Sequence, residues 1–124
     1  MEKGIRKLNS FTDLEAWKQA HELSLMIYQS TKNFPNEEKF GLVSQMRRAV
    51  VSITSNLAEG FGRRNTGEKK QFYAIAQASL MEIQSQLFIS KDIGYINHGD
   101  FEKILEKSTF VHKLITGLIK SMND

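Results

Sequence analysis

The chain has 124 residues, one proline and no cysteine, with 40% hydrophobic and 25% charged residues. This size fits one ordinary domain, and the lack of cysteine excludes disulfide bonds and thiolate metal sites. The formal net charge of +3 is uneven, because residues 47–70 alone carry six basic and two acidic side chains, a net +4.

Neither a membrane span nor a signal peptide is predicted from the apolar residues. No apolar run reaches the ~18 residues that a span needs, and residues 1–10 contain no apolar stretch of the signal-peptide type. We therefore expect a cytoplasmic protein.

Two helices are predicted in the first half of the chain. Thr12 to Glu15 fit a capping box, so a first helix is expected over residues 13–32, ending before Pro35. From Glu37, apolar residues recur at steps of three and four, which predicts a second helix reaching residues 58–61. Its apolar stripe comprises Phe40, Val43, Met46, Val50, Ile53 and Leu57.

Two more helices follow with the same stepping. Asn65 or Thr66 can cap the third, which should end at Gly94, where glycine can adopt the left-handed conformation. Asn97 can cap a fourth helix that continues to the end of the chain. The two stripes comprise Tyr73, Ala76, Leu80, Ile83 and Leu87, then Phe101, Ile104, Ser108, Val111, Ile115, Leu118 and Met122.

Four helices of similar length with short connections favour an all-α, antiparallel up-down-up-down four-helix bundle over residues 12–124. Residues 1–11 are expected to form a flexible N-terminal segment. Further apolar side chains point away from the core stripes, which indicates a surface covered by another copy in a homo-oligomer. The interface candidates are the apolar residues Val51, Ile75, Ile89 and Phe110, together with Glu82, which lies on the same outer face of the third helix as Ile75 and Ile89.

The stretch from Asn56 to Lys70 resembles a phosphate loop without matching one. Gly62 and Gly67 have the spacing of a Walker A loop, but the lysine and the hydroxyl after the second glycine are misplaced, and a helix precedes instead of a strand. The dinucleotide fingerprint lacks its third glycine. Gly60 and Gly62 are therefore interpreted as the end of the second helix.

The basic residues of this region are candidate contacts to nucleic-acid phosphates, because arginine and lysine bind phosphate oxygens. A solvated surface without a partner is the alternative. Phe61, Phe72 and Tyr73 could offer stacking platforms for bases, although Phe72 and Tyr73 lie near the core stripe and are expected to be buried. The phosphate-contact candidates are Arg47, Arg48, Arg63, Arg64, Lys69 and Lys70.

The sequence points to no catalytic, cofactor or metal site. None of His21, His98 and His112 follows a glutamate by three residues, as the di-metal sites of helical bundles require. Hydrolase and zinc-protease motifs are also missing. Glu82 is expected to pair with Arg47 or Arg48, within or between subunits, and a non-enzymatic protein is expected.

Four stretches together resemble the bacterial four-helix-bundle family of 23S ribosomal RNA intervening-sequence proteins. They are FTDLEAWKQAHELSLMIYQSTKNFP, EEKFGLVSQMRRAVVSITSNLAEGFGR, ASLMEIQSQL and IGYI. The most specific part is the run from Gly41 to Gln45 with Arg47, Arg48, Asn56, Glu59, Gly60, Gly62 and Arg63. Thr54 stands where relatives often have proline, which should leave the second helix straighter.

This resemblance implies a ring, a homopentamer in relatives, and no enzymatic activity. A related branch, the accessory variability determinant of diversity-generating retroelements, is a basic barrel that binds nucleic acid and a reverse transcriptase. We therefore expect a non-enzymatic, oligomeric protein that binds structured RNA such as rRNA, or RNA–DNA intermediates. The alternative is a scaffold that binds a polymerase or an RNA-maturation protein.

Overall fold

The computed structural model describes residues 8–122, and in this range the chain forms four α-helices and no strand. This confirms the all-α fold. The predicted N-terminal segment lies largely outside the described residues, as do the last two positions of the chain. The helices are α1 (Glu15–Thr31), α2 (Leu42–Gly62), α3 (Thr66–Asp92) and α4 (His98–Lys120).

The helices enclose one apolar core. Helix α1 packs against α2 and α4, and α3 packs against the same two helices, so each helix has two neighbours. The α2–α3 contact is the most extensive. The largest fully buried side chains come from all four helices: Tyr73, Phe101, Leu23, Ile27, Met46, Ile53, Leu57, Leu80, Ile83, Leu87, Ile115 and Val50.

The start of α1 differs from the prediction. The capping box is formed by Ser10 and Asp13, which cap a short 3-10 turn over Phe11–Asp13. Leu14 is extended and precedes α1 without a side-chain cap. The prediction that Thr12 is the capping residue is therefore wrong, because the capping residue is Ser10, two positions earlier. The Ser10 hydroxyl oxygen accepts a hydrogen bond from the backbone N–H of Thr12 at 3.2 Å.

The start of α2 was also predicted too early. A 3-10 turn covers Asn36–Glu38, and α2 begins only at Leu42, whose backbone N–H donates to the Glu38 carboxylate at 3.1 Å. Phe40 lies between the two and is 88% exposed. Its assignment to the core stripe is wrong, because the stepping of three and four continues through a segment that is not helical.

The remaining helix ends follow the prediction closely. The side chains of Asn65 and Asn97 accept hydrogen bonds from Glu68 and Asp100 and cap α3 and α4. Gly94 has φ +87°, and the N–H of Tyr95 donates to the Ser90 carbonyl at 2.8 Å, which closes the end of α3. Helix α4 ends at Lys120.

Candidate nucleic-acid interface

Only Arg63, Arg64 and Asn65 separate α2 from α3, so two basic side chains occupy a very short turn. Helix α2 ends here under tight packing. A Cβ on Gly60 would lie 2.6 Å from Cε1 of Tyr73, whereas a Cβ on Gly62 would meet nothing within 4 Å. Gly60 is therefore required for the close approach of α3, which supports the interpretation of this segment as a helix connection.

Lys69 closes the end of α2. Its Nζ donates to the carbonyls of Phe61 at 2.8 Å and Gly60 at 3.2 Å, and the ammonium group lies 5.6 Å from the centroid of the Phe61 ring. Carbonyls at a helix C-terminus lack intrahelical partners and favour a nearby cation. The ammonium group of Lys69 is thus already engaged within the chain.

Arg63 is held in a defined orientation. Its Nη2 donates to the Glu59 carboxylate at 3.0 Å, and its guanidinium carbon lies 4.7 Å from the centroid of the Phe72 ring. Tyr73 is fully buried, as predicted, whereas Phe72 is only half-buried. The expected burial of Phe72 is therefore only partial, and its ring supports Arg63.

Arg64 is exposed and forms no hydrogen bond or ion pair within residues 8–122. Lys70 is half-buried in the first turns of α3. In the turn, Arg63 therefore has a carboxylate partner, whereas Arg64 has none within the described residues.

Arg47 and Arg48, in the first half of α2, are distant from the α2–α3 turn. Arg47 donates to Thr31 Oγ1 at 3.0 Å and to the Tyr28 carbonyl at 3.3 Å, so it joins α2 to the end of α1. Arg48 is exposed and unpaired within the described residues. Arg63 lies fifteen positions after Arg48, which at about 1.5 Å per helical residue corresponds to about 22 Å. The six candidates therefore do not form one compact cluster.

The predicted outward side chains are exposed. Val51, Ile75, Ile89 and Phe110 are each 44–48% exposed. Glu82 is also exposed and accepts a hydrogen bond from Gln86 at 3.2 Å. Within the described chain it forms no ion pair with an arginine, so of the predicted pairings only one between subunits is left.

A groove of about 1000 Å³ brings part of this outer face together with basic residues. Arg47, Arg48, Val51 and Glu82 line it, together with Phe40. Sequence reasoning missed Phe40 because its spacing matched the core stripe, and it also missed Phe88 and Ile93, which are 47% and 52% exposed.

Three described groups with shifted pKa values lie where segments of the chain pack together. The Lys107 ammonium donates to Glu22 and lowers the pKa of that carboxyl. The hydrogen bond to Glu38 raises the pKa of Tyr95, and burial raises that of Tyr73. Within residues 8–122, no three metal-ligating side chains cluster, and no helix is long and apolar enough to cross a membrane.

Comparison with known proteins places this fold in a family. A model of the family described as "23S rRNA-intervening sequence protein" matches residues 12–117. The chain is also similar to a crystal structure from Bacteroides thetaiotaomicron, described as a protein with unknown function from the S23 ribosomal protein family. The two share 25% identity with a TM-score of 0.78, over 85% of this chain and 95% of that one. No curated protein matches the chain. Because the family model matches residues 12–117, the protein belongs to the 23S rRNA-intervening sequence protein family.

Proposed function

We propose that this protein is a non-enzymatic, homo-oligomeric RNA-binding protein of the cytoplasm that contacts structured RNA, rRNA above all, through phosphates. The observation that carries this proposal is the pair of exposed arginines, Arg48 and Arg64, which lack an acidic partner within residues 8–122. Uncompensated cations release counterions from nucleic acid when they bind it, which favours association. The family name links its members to 23S rRNA.

Assembly would add to this effect. We propose that consecutive helices run antiparallel, as their short connections and neighbouring contacts favour, and that several bundles form a ring. The exposed apolar side chains on α2, α3 and α4 supply a surface for such contacts. A ring, a pentamer by family resemblance, would repeat each uncompensated arginine once per subunit and so extend a weak basic surface.

The roles of five of the six basic candidates then differ. Arg48 and Arg64 act as phosphate contacts, whereas Arg47 and Lys69 use their charges first to join helices within the chain. Arg63 already has the Glu59 carboxylate. Fewer side chains per subunit are free to bind phosphate than the composition of residues 47–70 indicates.

The test is a titration of a fluorescent 23S rRNA fragment at several salt concentrations, after light scattering has fixed the oligomer mass. We expect tight binding at low salt and a linear fall of log K with log salt concentration. The variant R63E/R64E should abolish binding with unchanged helicity in circular dichroism.

The matched control is K18E/K32E, which changes the net charge equally at two exposed positions on α1 and its C-terminus. If the control weakens binding as much as R63E/R64E, net charge alone is responsible and the α2–α3 turn is not the site. If the wild-type protein does not bind the fragment at low salt, the proposed function is wrong.

The groove beside Phe40 favours a second function, that of a scaffold. An 88% exposed phenylalanine next to Val51 and two arginines is a surface of the kind that protein partners cover. A polymerase such as a reverse transcriptase, or an RNA-maturation protein, would be the partner. This alternative predicts salt-insensitive, weak RNA binding and a specific protein recovered through the wild-type protein but not through F40S.

A further inference from the structure

The two neighbouring arginines of the α2–α3 turn have different electrostatic surroundings. The Glu59 carboxylate lies 3.0 Å from Nη2 of Arg63, whereas Arg64 has no carboxylate partner within residues 8–122. A close opposite charge cancels much of the field that a guanidinium presents to a distant phosphate. Arg63 is therefore the weaker phosphate contact of the two, although it occupies the more ordered position.

What Arg63 does present is a flat surface. Its guanidinium carbon lies 4.7 Å from the centroid of the Phe72 ring, in the range of a cation–π contact. The ring is half-buried and so fixed by α3, while 43% of the Arg63 side chain stays exposed. Glu59 and Phe72 thus contact the guanidinium from two sides, while part of the Arg63 side chain stays open to solvent.

An oriented guanidinium plane is one of the groups on which unpaired bases stack in RNA complexes. Bases inside a duplex already stack on each other and cannot use it. On the basis of the RNA-binding function proposed above, we propose that the α2–α3 turn binds an unpaired nucleotide, with its base stacked on Arg63 and its phosphate contacting Arg64. The preferred RNA then contains a loop, a bulge or a single-stranded end.

The two arginines make different proposed contacts, so a different substitution tests each of them. Replacing Arg63 by lysine keeps the charge and the reach to Glu59 but removes the plane. Replacing Arg64 by glutamine removes a phosphate contact, which should weaken binding of every RNA and reduce the salt slope by about 0.7–0.9 per site.

The experiment compares a single-stranded RNA without internal pairing with a blunt duplex of equal length, both fluorescently labelled. The wild-type protein should favour the single strand. R63K should lower affinity for the single strand by about 5-fold or more, with an unchanged salt slope and an unchanged duplex affinity. The matched control is K32R, a charge-preserving exchange at an exposed lysine at the end of α1, outside the proposed contacts, and it should bind both RNAs like the wild-type protein.

A second variant tests whether the Phe72 ring orients the guanidinium plane of Arg63. F72L keeps an apolar side chain at the half-buried position but removes the ring under Arg63, so it should reproduce the effect of R63K at wild-type helicity. Equal binding of both RNAs by the wild-type protein, or equal losses on both in R63K, would overturn the base-stacking inference and leave RNA binding standing. Failure of the wild-type protein to bind either RNA would reject the proposed function together with the inference.

Discussion

Replacing Gly60 by alanine should destabilise the protein, because no space exists for one additional methyl group. The new Cβ would lie 2.6 and 2.9 Å from two carbons of the Tyr73 ring and 3.2 Å from Cβ of Phe72. Carbon atoms pack favourably at about 3.5–4.0 Å, so the ring or the helix must move by about 1 Å. Tyr73 is 1% exposed, so its ring cannot move aside without displacing neighbouring core side chains.

Such overpacking costs about 1–3 kcal/mol, and the better helix propensity of alanine returns at most about 1 kcal/mol. The net loss, up to about 2 kcal/mol, should lower Tm by up to several degrees at fixed protein concentration. Thermal and urea unfolding followed by circular dichroism measure it. The control is G62A, two residues further along α2, where a Cβ meets nothing within 4 Å. If G60A is as stable as G62A, close packing against Tyr73 is not the reason for glycine at this position.

Three further predictions concern two contacts between helices and the backbone conformation of Gly94. R47M should lower the free energy of unfolding by about 1–3 kcal/mol in urea titrations, because Arg47 donates to Thr31 and joins α1 to α2; unchanged stability would mean that this contact is not populated. G94A should cost about 1–2 kcal/mol, since φ is +87° and no contact is gained; a stability equal to wild type would contradict the left-handed conformation. Lys107 lowers the pKa of Glu22 below its ordinary value of 4.5. The stability that this ion pair adds to the folded state is therefore present above pH 4.5 and is lost as the pH falls through the lowered pKa. The Tm difference between wild type and E22Q should therefore shrink in acid, and a difference independent of pH would refute the ion pair.

The core and most helix ends could be predicted from the sequence because they depend on local and periodic signals. Asn65, Gly94 and Asn97 act through backbone groups within a few residues of themselves. The stripes of α3 and α4 were also correct, since a step of three or four places side chains on one face whenever the segment is helical.

The errors arose where the chain matched the helical pattern without being helical. Phe40 has the correct spacing for the core, but Gly41 has φ −111° and ψ −111° and separates it from α2. Thr12 to Glu15 match the capping-box pattern, but the box that forms is two residues earlier, between Ser10 and Asp13. Side-chain partners such as Thr31 for Arg47 depend on helix packing, so no local signal could have identified them.

The count of basic residues is therefore a poor measure of the charge offered to RNA. Arg47 and Lys69 donate to oxygens of the bundle, and Arg63 faces Glu59 at 3.0 Å, which leaves Arg48 and Arg64 as the exposed arginines of this stretch without a carboxylate in the described chain. Each phosphate neutralised contributes about 0.7–0.9 to the salt slope. If the proposed RNA binding rests on these two arginines, a monomer would bind weakly, and strong binding would require several subunits to contact one RNA together. Oligomer mass and salt slope must then agree: a steep slope in a monomeric sample would mean that basic residues outside this surface bind the RNA.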